Sequence, residues 1–173
     1  MKNKVGFFGG CFNPITNAHL ELIRDVIEKE NLSKVYFVPM GDFYQKNELI
    51  PSKYRIEMLN IALKDEPKME TLNISNQTQK TYAIDSFKRI DEEFPDAKRF
   101  FIMGSDNYNQ IKNWKESKKL IENYNYIILN RDAGNMKDIS SSIVRKKIQS
   151  KEDYEYLIPD KIATYIKQNN LYK

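Results

Sequence analysis

Short apolar runs recur along the chain, separated by longer segments in which apolar residues return every three or four positions. The runs are Val5-Gly6-Phe7-Phe8, Val35-Tyr36-Phe37-Val38, Thr71-Leu72-Asn73-Ile74, Arg99-Phe100-Phe101-Ile102-Met103 and Tyr126-Ile127-Ile128-Leu129. Their length and their β-branched and aromatic content predict buried strands. Between them, Leu20/Ile23/Ile27, Ile56/Leu59/Leu63 and Ile84/Phe87/Ile90 each fall on one face of a helix. Strand and helix alternating in this way imply right-handed crossovers and a parallel sheet of about five or six strands with helices on both faces, an α/β fold. Two more helices are expected towards the end, Ser140 to Ser150 and one opening near Pro159-Asp160 and running to Asn169, where proline at the start is tolerated. No repeat, low-complexity tract or Gly/Ser/Pro linker interrupts the pattern, so residues 1–173 read as a single domain. Ligands of such a sheet collect at the carboxyl ends of the strands.

Composition narrows the classes. Hydrophobic residues make up 40% and charged residues 30%, and nothing approaches the roughly 18 consecutive apolar residues of a membrane span. The apolar run behind Lys2 and Lys4 is too short for the core of a signal peptide, so a cytoplasmic location is expected, with no membrane partner. Cys11 and His19 are the only residues of their kinds, which excludes an internal disulfide and any zinc site built on Cys and His. The net charge of +4 is spread among interleaved acids and bases. That mild excess suits a small anionic substrate and falls short of the basic stripe of a nucleic-acid binder.

Candidate chemistry sits in two places. After the first strand comes Gly9-Gly10-Cys11-Phe12-Asn13-Pro14-Ile15-Thr16-Asn17-Ala18-His19-Leu20. Glycines there let the backbone approach a ligand, and the N–H groups opening the following helix attract anions. If the helix begins near Thr16, that hydroxyl and the His19 imidazole share one face of its first turn and point at the same phosphate. The plainer alternative is a Gly-Gly turn followed by a Thr16 N-cap. Near the other end, Ile139-Ser140-Ser141-Ser142-Ile143-Val144-Arg145 places hydroxyls at a helix start with an arginine fork behind them. Its alternative is a serine-capped helix with solvated Arg145, Lys146 and Lys147.

Together these two elements resemble the signatures of the nucleotidylyltransferase superfamily, a (His/Thr)-x-Gly-His motif after strand one and an Ile-Ser-Ser-Thr-x-x-Arg motif near the end. Within it the chain resembles the bacterial nicotinate-nucleotide adenylyltransferases over nearly its whole length. Supporting motifs are Gly9-Gly10-x-Phe12-x-Pro14-Ile15, Val38-Pro39-x-Gly41 with Lys46, Arg55-x-x-Met58-x-x-x-Ala62, Thr81-Tyr82-x-Ile84-Asp85, Gly104-x-Asp106 with Trp114, and the ending Leu157-Ile158-Pro159, Tyr165-Ile166, Leu171-Tyr172. Three places depart from that pattern. Thr16 stands where this subfamily usually has histidine, Ala18 where glycine is common, and Phe43-Tyr44-Gln45 where Pro-Pro-His is frequent. Threonine at the first place is normal in the related pantetheine-phosphate enzymes.

The resemblance implies a Rossmann-like fold and adenylyl transfer from ATP to nicotinic acid mononucleotide in NAD biosynthesis. It also implies magnesium carried by the phosphates with no protein metal ligand, and leaves a homo-oligomer open. His19, Thr16 and Arg145 are the catalytic group it implies. ATP is implied to lie against Gly9, Gly10, Cys11, Phe12, Gly104, Ile139, Ser141 and Ser142, and the acceptor against Lys46, Thr81, Tyr82, Asp106 and Trp114. The N–H groups of Thr81 and Tyr82 are expected to receive the pyridine carboxylate. Asp106 is expected to bind ribose hydroxyls or cap a helix, and Trp114 to stack on the ring or pack in the core. A phosphopantetheine adenylyltransferase-like enzyme and a non-catalytic nucleotide-binding regulator are the rival readings.

Overall fold

The computed structural model describes residues 2–43, 48–74, 79–130 and 140–173. Five strands among them form one parallel sheet: β1 (Lys4–Gly10), β2 (Lys34–Pro39), β3 (Met69–Thr71), β4 (Lys98–Gly104) and β5 (Asn125–Leu129). Their order is β3-β2-β1-β4-β5, so the chain builds outward from β1 to one edge and then returns to build the other. Where the order reverses, between β1 and β4, the loops at the carboxyl ends part and leave a crevice.

Alternation along the strands divides the apolar side chains between two faces. Phe8 of β1, Val35 and Phe37 of β2, and Ile102 of β4 join α1 (Asn17–Lys29), α2 (Ser52–Leu63), α6 (Ser141–Gln149) and α7 (Asp160–Gln168) in one core. Val5, Phe7 and Phe101 point the other way, into a core with α3 (Ala83–Glu93), Ile111 and α5 (Ser117–Asn123). Gly6 faces the first core, where a Cβ would come within 2.7 Å of Ile102 and 3.0 Å of Leu32 and Val35. Glycine there allows the sheet and the loop after α1 to close on each other.

Two elements differ from expectation. The third strand is Met69–Thr71 rather than 71–74. Edge pairing ends there because β3 matches only Val35 to Phe37 of β2, after which Leu72 and Ile74 turn onto the second core. Residues between β4 and β5, for which the pattern gave no helix, form α4 (Ser105–Gln110), a 3-10 turn (Ile111–Asn113) and α5. Segments of six and seven residues hold fewer than two full turns, too few for a helical period to show. Among the described residues no helix is long and apolar enough to cross a membrane.

Candidate active site

A cleft of about 1100 Å³ runs across the carboxyl edge of the sheet. Its floor is the end of β1, Gly9 and Gly10, continuing into Cys11 and Phe12. Gly10 has to be small, since a Cβ would press to 3.0 Å against the Phe12 ring, whereas the space at Gly9 is open. Phe12 adopts a left-handed backbone (φ 47°) that an aromatic residue rarely takes. Its ring compensates by packing against Phe8, Phe37 and His19, with centroids 5.3 to 5.6 Å apart.

At one end of the cleft stands His19, half-buried in the first turn of α1. Thr16 is the N-cap of that helix and is fully buried. Its backbone N–H donates to His19 Nδ1 at 3.1 Å, and its hydroxyl lies 2.8 Å from the same nitrogen. An amide N–H can donate only to a ring nitrogen that carries a lone pair, so Nδ1 is the acceptor and Nε2 carries the proton. The two side chains therefore do not point at one phosphate, as expected from the sequence. Thr16 is not part of the cleft wall; it holds the histidine that is.

The start of α6 closes this end. Ser140 is its N-cap, accepting from the Ile143 N–H at 3.4 Å, and its hydroxyl is 2.6 Å from that of Ser142. Ser141 donates its hydroxyl to the Pro14 carbonyl at 2.7 Å, fastening α6 to the loop before α1. All three serines line the cleft. The N–H groups of Ser141 and Ser142 precede the first bond back to Ser140 and form an anion-attracting terminus.

Arg145 is outside the cleft wall. Its Nη1 donates to the Asn13 carbonyl at 2.8 Å, while Nε and Nη2 both reach Glu48 Oε2 at 3.1 Å. A carboxylate thus fills the fork that the sequence suggested for phosphate. Asn13, buried and followed by a cis peptide bond to Pro14, also donates to the Glu48 carbonyl at 2.8 Å and accepts from the Tyr172 hydroxyl at 3.0 Å. Burial raises the Tyr172 phenol well above its ordinary pKa and keeps it a neutral donor. Arg55, fully buried, donates to the carbonyls of Ile50 and Cys11, both at 2.9 Å, and to Asp42 at 3.1 Å. It joins the loops after β1 and β2. Neither Asn13 nor Arg55 was assigned a role from the sequence, because their partners are remote in the chain.

The other end of the cleft carries Thr81 and Tyr82 before α3, and Trp114 after the 3-10 turn. Trp114 is half-buried, with part of its ring on the second core and part on the cleft. The Tyr82 N–H donates to Asp85 Oδ2 at 3.1 Å. Of the two N–H groups expected to face a carboxylate, that of Tyr82 thus takes part in the cap of α3. Lys80 and Lys115 place their ammoniums 4.8 and 4.4 Å from the centre of the Tyr82 ring. Gly104 lies on the wall as the N-cap of α4, so Asp106 does not cap that helix; it is exposed in the first turn, off the wall, and the neighbouring Asn107 lines the cleft instead. Lys46 and Ile139 lie outside the described residues.

Among the described residues the cleft wall offers hydroxyls, amides, lysines and one imidazole, with no carboxylate. No group of three or more His, Cys, Asp or Glu side chains among them could hold a metal.

An open parallel sheet with a glycine-floored crevice, a first-turn histidine and a serine-opened helix facing it is the architecture of a nucleotide-binding α/β enzyme. The cytidylyltransferase-like family model matches residues 7–147. A probable nicotinate-nucleotide adenylyltransferase of Lactococcus lactis is 31% identical over 189 residues, covering 99% of this chain and 96% of its own. One from Bacillus licheniformis is 29% identical over 187 residues, 98% of each chain. The Plasmodium falciparum nicotinic acid mononucleotide adenylyltransferase complexed with NaAD shares the fold, with a TM-score of 0.84 over 98% of this chain and 97% of that one at 22% identity. The chain belongs to the cytidylyltransferase-like family and, within it, to the nicotinate-nucleotide adenylyltransferases.

Proposed function

We propose that this protein transfers the adenylyl group of ATP to nicotinic acid mononucleotide, giving nicotinic acid adenine dinucleotide and pyrophosphate, a step of NAD biosynthesis. One observation carries the reading. A single cleft joins a phosphate-type end, Gly9, Gly10, His19 and Ser140 to Ser142, to an end walled by the flat rings of Trp114 and Tyr82. A triphosphate suits the first and a pyridine ring the second.

An oxygen of the acceptor phosphate attacks the α-phosphorus of ATP. One P–O bond forms as the bond to the bridging oxygen of the leaving pyrophosphate breaks, without a covalent enzyme intermediate. Catalysis is then positioning and charge stabilisation. His19 donates through Nε2–H to an α-phosphate oxygen as charge spreads over it. Thr16 is a positioning residue that sets the tautomer and the aim of the ring. The first N–H groups of α6 and the Ser142 hydroxyl hold the β- and γ-phosphates; the Ser141 hydroxyl, spent on Pro14, steadies the helix. Arg145 reaches the same oxygens when the triphosphate displaces the largely exposed Glu48 carboxylate from its fork. A divalent cation brought in with the nucleotide would supply charge neutralisation to the phosphates.

The test is pyrophosphate release from ATP and magnesium with nicotinic acid mononucleotide and, separately, with phosphopantetheine. Release with the pyridine nucleotide is expected. Release with phosphopantetheine alone would overturn the acceptor, and release with neither would favour a non-catalytic regulator.

A further inference from the structure

Resting on the reading of Arg145 as a phosphate ligand, we propose that Tyr172 is a positioning residue for the transfer reaction, acting through Asn13 on the aim of the Arg145 guanidinium. Tyr172 lies beyond α7 with its ring buried in the first core. It holds a left-handed backbone (φ 64°), which a bulky side chain rarely adopts. That conformation brings its hydroxyl to 3.0 Å from Asn13 Oδ1, 159 positions away along the chain.

The neighbours of this bond fix its direction. Asn13 Nδ2 donates to the Glu48 carbonyl at 2.8 Å, and a carbonyl can only accept, so the amide stands one way round and Oδ1 is the acceptor that faces Tyr172. The phenol must therefore donate and must be neutral. Burial raises its pKa and keeps the proton in place, against the guanidiniums of Arg145 and Arg55 that favour its loss. The other donor to Oδ1 among the described residues is the Ile50 N–H, longer at 3.4 Å. Tyr172 is thus the main hold on that side of the amide.

The same residue carries the contact that aims Arg145. Its backbone carbonyl accepts from Arg145 Nη1 at 2.8 Å, while Nε and Nη2 reach the Glu48 carboxylate. When a triphosphate takes the place of that carboxylate, the bond to Asn13 is the one that stays. A planar fork held at one nitrogen presents the other two at a set angle, which favours phosphate oxygens only while the holding carbonyl keeps its place. Without the Tyr172 hydroxyl the Asn13 amide is held from one side, and the carbonyl loses part of its fixed direction. Helix α6 itself stays docked, because Ser141 is fastened to the Pro14 carbonyl independently of Tyr172. The effect is therefore on the aim of one side chain, a loss of preorganisation at the departing pyrophosphate.

The experiment is a double-mutant cycle on pyrophosphate release from ATP with nicotinic acid mononucleotide, in the full chain, for Tyr172→Phe, Arg145→Lys and the two combined. Tyr172→Phe removes the hydroxyl and leaves the ring in the core. Its kcat is expected to fall roughly fivefold, within the scale of one hydrogen bond, with KM for the acceptor unchanged. Added pyrophosphate should inhibit this variant more weakly by a similar factor. The combined variant should match Arg145→Lys alone, because both changes remove the same grip. A lowered melting temperature in Tyr172→Phe with kcat and pyrophosphate inhibition unchanged would overturn this inference alone and leave Tyr172 a structural clamp. Losses that multiply in the combined variant would also overturn it, since Tyr172 would then act by a route that does not pass through Arg145. Should Tyr172→Phe fail to fold, Tyr172→Leu repeats the cycle, and failure of both to fold would overturn the inference in favour of a role in the fold. Full activity of Arg145→Lys would overturn the reading of Arg145 on which this rests, and absence of release by the unsubstituted protein would overturn the proposed function itself.

Discussion

The two ends of the cleft are built differently. At the end that holds His19 the protein's polar groups are bound to one another: Thr16 to His19, Ser141 to Pro14, Asn13 to Tyr172 and Glu48, and Arg55 to the loops after β1 and β2. At the other end the wall carries the rings of Tyr82 and Trp114, and its cations lie over the Tyr82 ring. Fixed donors cost little reorganisation when charge moves in a transition state, so the first end is suited to accelerating chemistry. Flat rings and accessible charges bind a ground state and distinguish one from another, so the second is suited to recognition. Damage to the first should appear mainly in kcat and damage to the second mainly in KM.

The sharpest break of that division is His19→Ala. Loss of the donor to the α-phosphate should lower kcat by about 10²- to 10³-fold, with a smaller change in KM for ATP. Steady-state kinetics on both substrates checks it, and an unchanged kcat would remove His19 from the chemistry.

Next comes Trp114→Ala at the opposite end. KM for the pyridine mononucleotide should rise by about 10- to 100-fold, borrowing the 1 to 3 kcal/mol scale of base stacking on aromatic side chains, with KM for ATP nearly unchanged. The same variant tests a core role for Trp114. A buried tryptophan would cost about 3 to 5 kcal/mol of stability on truncation and lower the melting temperature with or without ligand. The half-exposed ring predicts a smaller loss.

A smaller effect, roughly tenfold in kcat, is expected for Arg145→Lys. A single ammonium cannot reproduce the fork that Glu48 fills in the free protein and that phosphate oxygens would take over. Full activity would leave Arg145 with a structural role on Asn13.

The smallest effect is assigned to Thr16→Val, which keeps the shape and the backbone N–H that donates to Nδ1 but removes the hydroxyl. A several-fold loss of kcat with an unchanged KM for the acceptor is expected, beside about 1 kcal/mol of stability from the weakened cap. Measuring the pH dependence of kcat on this variant separates the two roles. A displaced pH profile marks a disturbed imidazole, whereas cap loss alone lowers the melting temperature and leaves the profile in place.

The sequence by itself determined the layered fold, because burial imposes a period of two on strands and near 3.6 on helices, and both periods survive in the order of residues. It also determined that glycines, a histidine and a serine-opened helix would meet at the carboxyl edge of the sheet, since crossovers of one hand leave no other place for those loops. Where the third strand ends and that two short helices follow β4 were not legible, because three to seven residues are too few to show a period. Partner choice was not legible either. That the Thr16 hydroxyl would turn to His19, that the Tyr82 N–H would be taken by Asp85 and that Arg145 would close on Glu48 depends on groups competing at distances of about 3 Å. Glu48 and Arg145 lie 97 positions apart, and Asn13 and Tyr172 lie 159 apart. Spacing along a chain carries no record of such meetings; only the packed structure brings the donors and acceptors together and decides which pairs form.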